Sequence, residues 1–208
     1  SMWPPRWSYL PVIIKPLIET IHIATIGTAI AYVFSIPLAF LAARNTTLNS
    51  FTWIIGRALL VASRSVNTVI WGLLFVAIFG PGPVAGIAAV AARSVGFLAK
   101  LVAESIEEAD RGPVEAIEST GAGTGQVYLL GIMPQVMPVL IGTTVYRWDI
   151  NVRESSVLGF VGAGGIGLQL YASINQFAWQ QVLIILASIL VIVLISEMVS
   201  ASVRARIS

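Results

Sequence analysis

Five long apolar stretches constrain the fold of this chain more than any other feature of its sequence. A helix needs about 20 predominantly apolar residues to cross the hydrocarbon core of a bilayer, and each stretch is close to that length or longer. The predicted spans are 17–41, 53–79, 84–102, 138–158 and 182–203, with the first interrupted at Pro37.

The composition points to the same environment. Hydrophobic residues make up 57% of the chain and charged residues only 11%, whereas a soluble domain carries about 25% charged residues. Because so few polar side chains cannot cover a water-exposed surface, the lipid bilayer is the expected solvent. We therefore predict an all-α membrane protein of about five transmembrane helices, forming a single transmembrane domain over residues 1–208.

Several classes of function have no support in the composition. The net charge is only +2, so a nucleic-acid partner is not expected. The chain has no cysteine and a single histidine, His22, which argues against a metal site or a histidine-based catalytic centre. We interpret His22 as a polar residue in a packed helix and predict no catalytic residue and no metal ligand.

The distribution of basic residues predicts the orientation. Lysine and arginine favour the cytoplasmic side in short loops, and five spans place Arg44, Lys100, Arg204 and Arg206 on the same side. The connections on the opposite side, residues 80–83 and 159–181, contain no charged residue. The carboxyl end is therefore predicted to be cytoplasmic and the amino end external.

A glycine-rich run, VLGFVGAGGIG, contains the spacing G-x-G-x-x-G that is typical of dinucleotide-binding turns. Such a turn needs an acidic residue about 20 positions further on, but that position is Ala187, inside a predicted span. We interpret the run as a tight, non-helical link between spans four and five. Because irregular backbone near a membrane is buried in protein or lines a wet cavity, we predict a gate loop; a plain tight turn is the alternative. Its residues are Gly162, Gly164, Gly165 and Gly167.

The polar segment 104–134 differs from the rest of the chain, since it holds six of the ten acidic residues. Asp110 is placed to cap a helix, and Gly121 is suited to end one. We predict a short cytoplasmic helix over 114–120 that presents Val114, Ala116 and Ile117 on one side. Such a short helix is marginal alone, so it must dock either on its own chain or on a partner.

This segment carries the resemblance to a known family. EAIESTG, followed by nine residues and GIMP, resembles the EAA signature of ABC importer permeases, and the flanking sequences resemble the phosphonate-type subfamily. Ile117, Gly131 and Met133 depart from the usual alanine, isoleucine and leucine of the signature. The residues that match it in register are Glu115, Ala116, Gly121 and Pro134.

The resemblance implies a type I importer permease whose EAA helix, including Glu115, Ala116, Ile117, Gly121 and Pro134, couples to an ATPase. It also implies a second permease copy in a homodimer, two ATPase subunits at the cytoplasmic face, a soluble substrate-binding protein and a bacterial plasma-membrane location. The implied cargo is phosphonate, phosphite or phosphate. Many relatives carry a further upstream span, so we expect that either this segment is missing here or the subfamily is shorter.

The chain itself is not expected to be an enzyme. A phosphate-binding loop needs lysine directly after glycine, and neither Lys15 nor Lys100, the only lysines, follows one. We therefore expect no cofactor on this chain, with ATP and magnesium bound by the partner ATPase. A stand-alone secondary transporter or channel is the alternative function, and an intramembrane enzyme is a third. Co-purification of an ATPase would distinguish the importer from both.

Charged residues inside the fourth span need protein or water around them, since each costs about 2.5–3.5 kcal/mol at mid-bilayer. Asp149 and Arg153 are spaced to pair along one helix face, while Arg147 and Glu154 share another face. One hypothesis is an anion path; the other is an ion-pair network that fixes the helices. The candidate path residues are Arg147, Asp149, Asn151, Arg153, Glu154 and Ser155.

Overall fold

The chain folds into helices joined by short connections. A computed structural model describes residues 3, 7–47 and 49–206. Two 3-10 turns, Trp7–Tyr9 and Gly159–Val161, and a π-helical turn, Tyr128–Ile132, accompany the α-helices. The α-helices of the described residues are α1 (Leu10–Ala42), α2 (Ser50–Ser65), α3 (Thr68–Phe79), α4 (Pro83–Glu107), α5 (Arg111–Glu118), α6 (Thr124–Val127), α7 (Met133–Leu158), α8 (Ile166–Asn175) and α9 (Trp179–Arg204).

The number of spans agrees with the sequence prediction. By length and composition, four helical segments of the described residues are able to cross a membrane, and the bent pair α2–α3 makes a fifth if it counts as one span. The four segments contain α1, α4, α7 and α9. The protein is therefore an all-α, multi-pass membrane protein.

The second predicted span, 53–79, is not one continuous helix. It breaks between α2 and α3, which meet at a bend of 95°. The break is caused by Asn67, whose side-chain oxygen accepts a hydrogen bond from the backbone N–H of Val69 at 3.0 Å. This cap begins a new helix, and the indole of Trp71 donates back to the carbonyl of Ser63 at 3.2 Å.

The predicted interruption of the first span at Pro37 is wrong. Helix α1 runs through both Pro16 and Pro37 to Ala42. Proline is tolerated inside transmembrane helices because neighbouring groups satisfy the freed backbone. The helix is also longer than predicted at its amino end, where it begins at Leu10.

The prediction of a non-helical link between spans four and five is also wrong in part. Residues 162–165 are irregular, but the chain then forms helix α8 over Ile166–Asn175. This helix forms because Ile166 and Leu170 pack into a core cluster with Val182 and Ile185 of α9. The helix has only ten residues and lies within an uncharged stretch, so its apolar periodicity was too short to predict it from the sequence.

Helices α1 and α4 form the most extensive contact in the protein. Small residues allow it: a side chain at Gly27 of α1 would come within 2.7 Å of Val90 in α4. Ala24 and Ala31 of α1 and Ala89 of α4 are buried. Close approach through small residues is a common way to associate helices in membranes.

One end of the bundle gathers the connections that contain charge. Glu107, at the end of α4, accepts from the backbone N–H of Arg44 at 2.8 Å and pairs with Arg57 of α2 at 2.9 Å. Helix α5 follows directly, so the α1–α2 connection, α4 and α5 meet at one end. The glycine-rich loop lies near the amino-terminal half of α1, at the other end. That the charged end is cytoplasmic stays a prediction.

Candidate translocation site and coupling segment

Helix α5 lies between the two residues whose sequence signals predict it, Asp110 and Gly121. The carboxylate of Asp110 accepts a hydrogen bond from the backbone N–H of Gly112 at 3.0 Å and caps the helix. The helix spans Arg111–Glu118, about one turn earlier than the predicted 114–120. Gly121 has φ +79°, a left-handed conformation that glycine adopts at low cost after a helix.

One side of α5 is held against its own chain. A side chain at Gly131 would lie 3.3 Å from Val114 and 3.5 Å from Ile117, so the glycine that departs from the signature allows α5 to approach. Gln135 fixes the same junction, since it accepts from the N–H of Asp110 at 2.9 Å and donates to the carbonyl of Gly131 at 2.8 Å. Val114 also packs against a core cluster.

The other side of α5 faces outward. Glu115, Ala116 and Glu118 are exposed, and a cleft of about 270 Å³ lies between α5, the end of α4 and the π-helical turn. Pro134 occupies the first turn of α7, immediately after the π-helical turn. Both docking alternatives are therefore compatible with α5, because one face contacts its own chain and the other is open.

The glycine-rich loop is fixed to helix α1. The backbone N–H of Gly165 donates to the carboxylate of Glu19 at 2.9 Å, and the N–H of Ile166 donates to the hydroxyl of Thr20 at 2.8 Å. Gly164 and Gly165 have φ of +80° and +77°. A side chain at Gly165 would lie 2.7 Å from the Thr20 hydroxyl, so both conformation and space require glycine there.

The two outer glycines of the run have different roles. Gly162 has φ +82°, and its carbonyl accepts from the N–H of Gly82 at 2.9 Å, which joins the loop to the α3–α4 turn. Gly167 lies in the first turn of α8, against the backbone of Ser156 and Gly159. The loop thus packs between several helices, and its action as a gate stays a prediction.

Arg147 of α7 is buried in the middle of the bundle, with 4% of its side chain exposed. Its Nε donates to the hydroxyl of Ser94 in α4 at 3.0 Å, and its Nη2 lies 3.3 Å from Glu154. Its guanidinium also lies over the ring of Phe97, 5.2 Å from the centroid. Arg147 and Glu154 therefore share a helix face, as the spacing predicted.

Arg93 of α4 is a central residue that the sequence prediction missed. It pairs with Glu154 and donates to the hydroxyl of Thr68 at 2.8 Å, and Thr68 in turn donates to Glu154. Glu154 thus binds two arginines from two helices. The signal was present in the sequence, since Arg93 places a charge in the middle of the third apolar stretch.

Asn151 completes this cluster. Its side chain is fully buried and donates to the hydroxyl of Thr28 in α1 at 2.7 Å and to that of Ser94 at 3.0 Å. Its contacts therefore tie α7 to α1 and α4. We refer to the whole cluster as the buried network, which consists of Thr28, Thr68, Arg93, Ser94, Arg147, Asn151 and Glu154.

The other predicted path residues lie apart from the buried network. Asp149 pairs with Arg153, as predicted, and accepts from the hydroxyl of Ser196 in α9 at 2.6 Å. This pair ties α7 to α9. Ser155 is fully buried, and its hydroxyl has no hydrogen-bond partner among the described residues. Five of the six candidates thus divide between an ion-pair network with α4 and a separate contact with α9, and Ser155 takes part in neither.

Comparison with known families decides the class of this protein. Residues 35–208 match the family described as "binding-protein-dependent transport system inner membrane component". The chain belongs to that family. It is a permease subunit of a binding-protein-dependent importer, which confirms the predicted resemblance and does not favour a stand-alone secondary transporter or channel.

Individual relatives of the permease extend over almost the whole chain. The phosphite transport system permease protein PtxC of Stutzerimonas stutzeri is 43% identical over 201 residues, which cover 97% of this chain and 73% of that protein. The phosphate-import permease protein PhnE of Mycolicibacterium smegmatis is 41% identical over 207 residues, which cover 99% of this chain and 39% of that protein. Both relatives are therefore longer than the chain.

Solved structures support the permease fold. The inward-facing MetNI methionine ABC transporter matches with a TM-score of 0.82 over 98% of this chain and 99% of the matched chain. Its sequence identity is 18%, so the likeness concerns the fold alone. The prediction of a type I importer permease fold is confirmed.

Proposed function

We propose that this permease forms the translocation path for a phosphorus oxyanion, namely phosphonate, phosphite or phosphate, in an ATP-driven importer. The observation that carries the proposal is the family match, with relatives of 41–43% identity named for phosphite and phosphate. Arg93 and Arg147 are compatible with such cargo, because guanidinium groups bind pairs of phosphorus-bound oxygens well.

The path, in this proposal, passes the buried network. Arg147, Asn151 and Glu154 contact α4, and charged residues inside a membrane protein mark ion or substrate pathways by default. Asp149 and Arg153 contact each other, and Asp149 also contacts α9. Their part in the path, and that of Ser155, stays a prediction.

The proposal assigns a partner to each end of the permease. The open face of α5, with Glu115 and Ala116, docks on an ATPase subunit that binds ATP and magnesium. The end with the glycine-rich loop faces a soluble substrate-binding protein. A second copy of the permease completes the pore as a homodimer, and the assembly resides in a bacterial plasma membrane. Supporting this arrangement, α5 is capped, anchored on one side and exposed on the other.

The test is reconstitution of the permease with its ATPase in proteoliposomes. Candidate binding proteins loaded with phosphonate, phosphite or phosphate are added, and both ATP hydrolysis and uptake are measured. We expect at least one loaded binding protein to stimulate both activities, whereas the same protein without cargo does not. If none of the three oxyanions stimulates ATP hydrolysis and none is taken up, the proposed cargo is refuted.

A further inference from the structure

A cavity of about 250 Å³ lies beside the buried network and opens between α2, α4 and α7. It touches the network through Arg93 and Arg147, but it also reaches residues that the network does not use. Its lining consists of Arg64, Arg93, Phe97, Lys100, Leu101 and Arg147.

The lining is strongly positive. It contains four cationic side chains and no carboxylate. The carboxylates that pair with them lie outside it: Glu154 binds both Arg93 and Arg147, and Glu104 pairs with Lys100 at 3.2 Å. Clefts lined by one sign of charge concentrate ions of the other sign. The cavity is therefore built to attract an anion.

The cations of the lining differ in how firmly they are held. Arg147 is buried against Ser94 and Glu154, so its position is fixed. Arg64 is exposed, and Lys100 leaves 41% of its side chain exposed in a weak pair along its own helix. Lysine and arginine with little burial can move to follow a ligand.

The cavity continues toward the end of the bundle that carries α5. A neighbouring cavity, also of about 250 Å³, shares Arg64 and Lys100 with the first and extends to Arg57 and Glu104. Lys100 precedes the end of α4 at Glu107 by two turns, about 10 Å. The two shared cations thus lie between the buried network and the end at which α5 projects.

We propose that the first cavity is a transit site for the oxyanion, with Arg93 and Arg147 as its fixed cations and Arg64 and Lys100 as its mobile ones. The identity of the anion rests on the proposed function, whereas the existence of an anion site rests on the cavity. Bound anion would pass from the fixed pair to the mobile pair and leave toward the α5 end.

Cysteine chemistry tests the site directly, because the chain contains no cysteine. Leu101→Cys places a thiol in the cavity lining, and Gln176→Cys places one in the uncharged, exposed loop before α9 as a control. The full chain in lipid nanodiscs is treated with anionic or cationic methanethiosulfonates. We expect the anionic-to-cationic rate ratio to be about tenfold higher at Leu101→Cys than at Gln176→Cys. Equal ratios would overturn the proposal.

Protection by oxyanions is the second measurement. Phosphate, phosphite or methylphosphonate should slow modification of Leu101→Cys but leave Gln176→Cys unaffected, with chloride at equal ionic strength as the reference. Adding Arg64→Gln and Lys100→Gln to Leu101→Cys should remove both the rate preference and the protection. A preference for the anionic reagent without protection by any of the three oxyanions would overturn a binding site.

Uptake then connects the site to transport. The Arg64→Gln/Lys100→Gln variant should lower oxyanion uptake at least tenfold with an unchanged thermal unfolding midpoint, whereas Lys15→Gln, which removes the other lysine, should retain it. If the double variant takes up oxyanion as fast as the wild-type protein does, the transit role is refuted. If wild-type protein takes up no phosphorus oxyanion while phosphate still protects Leu101→Cys, the proposed function fails and the anion site stands.

Discussion

In the buried network, Arg147 leaves only 4% of its side chain exposed, whereas helix α5, which is equally rich in charge, contains no buried residue. The network holds its charges through contacts among four helices, α1, α3, α4 and α7. Helix α5 is instead stabilised by local features at its two ends. These are the side-chain cap from Asp110 and the left-handed conformation of Gly121 after the helix.

Buried and exposed charged residues therefore serve different purposes in this protein. Buried charges depend on one another, because removing one partner leaves the others without compensation in a medium of low polarity. Exposed charges are solvated and contribute little to stability, so they are free to be used for contact with a partner. We therefore expect substitutions in the network to unfold the protein and substitutions on α5 to uncouple it.

The largest effect is expected for Glu154→Gln. The amide keeps the shape of the carboxylate but leaves Arg93 and Arg147 facing each other without a counter-charge. Removing one partner of a buried ion pair costs about 3–5 kcal/mol, and we expect the lower end of that range because Glu154 leaves 21% of its side chain exposed. A lowered thermal unfolding midpoint in detergent or nanodiscs would show the loss.

The matched control is Glu104→Gln, on α4 near the end of the helix. Its carboxylate is 42% exposed in a pair with Lys100, and such a pair contributes about 0.3–0.5 kcal/mol. Equal unfolding midpoints for the two variants would contradict the claim that the network, rather than the number of charges, stabilises the bundle.

An intermediate effect is expected for Gly131→Leu, where α5 rests on the π-helical turn. The new side chain must displace Val114 and Ile117, which lie within 3.3–3.5 Å of its Cβ position, and overpacking of this kind costs about 1–3 kcal/mol. Because α5 would move, we also expect ATPase stimulation to fall.

Gly125→Leu serves as the control for that substitution. Gly125 lies in α6, in the same segment, and a side chain there would meet nothing within 4 Å. Its unfolding midpoint should stay the same or rise, because leucine favours a helix more than glycine does. Loss of ATPase stimulation in both variants would mean that the position of α5 is not what matters.

The two regions also differ in how well the sequence predicts them. Helix α5 depends on local signals, so Asp110 and Gly121 were enough to place it to within about one turn. The pairing of Asp149 with Arg153 is equally local, and it is confirmed. Helix periodicity and capping act over a few residues, which is why they can be read from sequence.

The buried network depends on contacts between distant parts of the chain. Glu154 meets Arg93 across 61 positions and Asn151 meets Thr28 across 123, and no local pattern pairs such residues. The sequence showed that the fourth-span charges needed partners, but not which ones. Helix α8 was missed for a related reason, since it packs against α9. The bend at Asn67, in contrast, depends on a local cap that the prediction overlooked.

The smallest effect on stability, and the sharpest separation of the two regions, is expected for Glu115→Gln. Glu115 is exposed on α5, and substitutions at such surface positions usually change stability by less than about 0.5 kcal/mol. If its carboxylate accepts a hydrogen bond from the ATPase, its loss costs about 1.5–3 kcal/mol, which corresponds to at least about tenfold weaker binding. Glu108→Gln, exposed but outside α5, should bind the ATPase normally. Binding is measured by titration of the ATPase onto the permease in nanodiscs. If Glu115→Gln binds the ATPase as tightly as the wild-type protein does, the open face of α5 does not dock on the ATPase subunit.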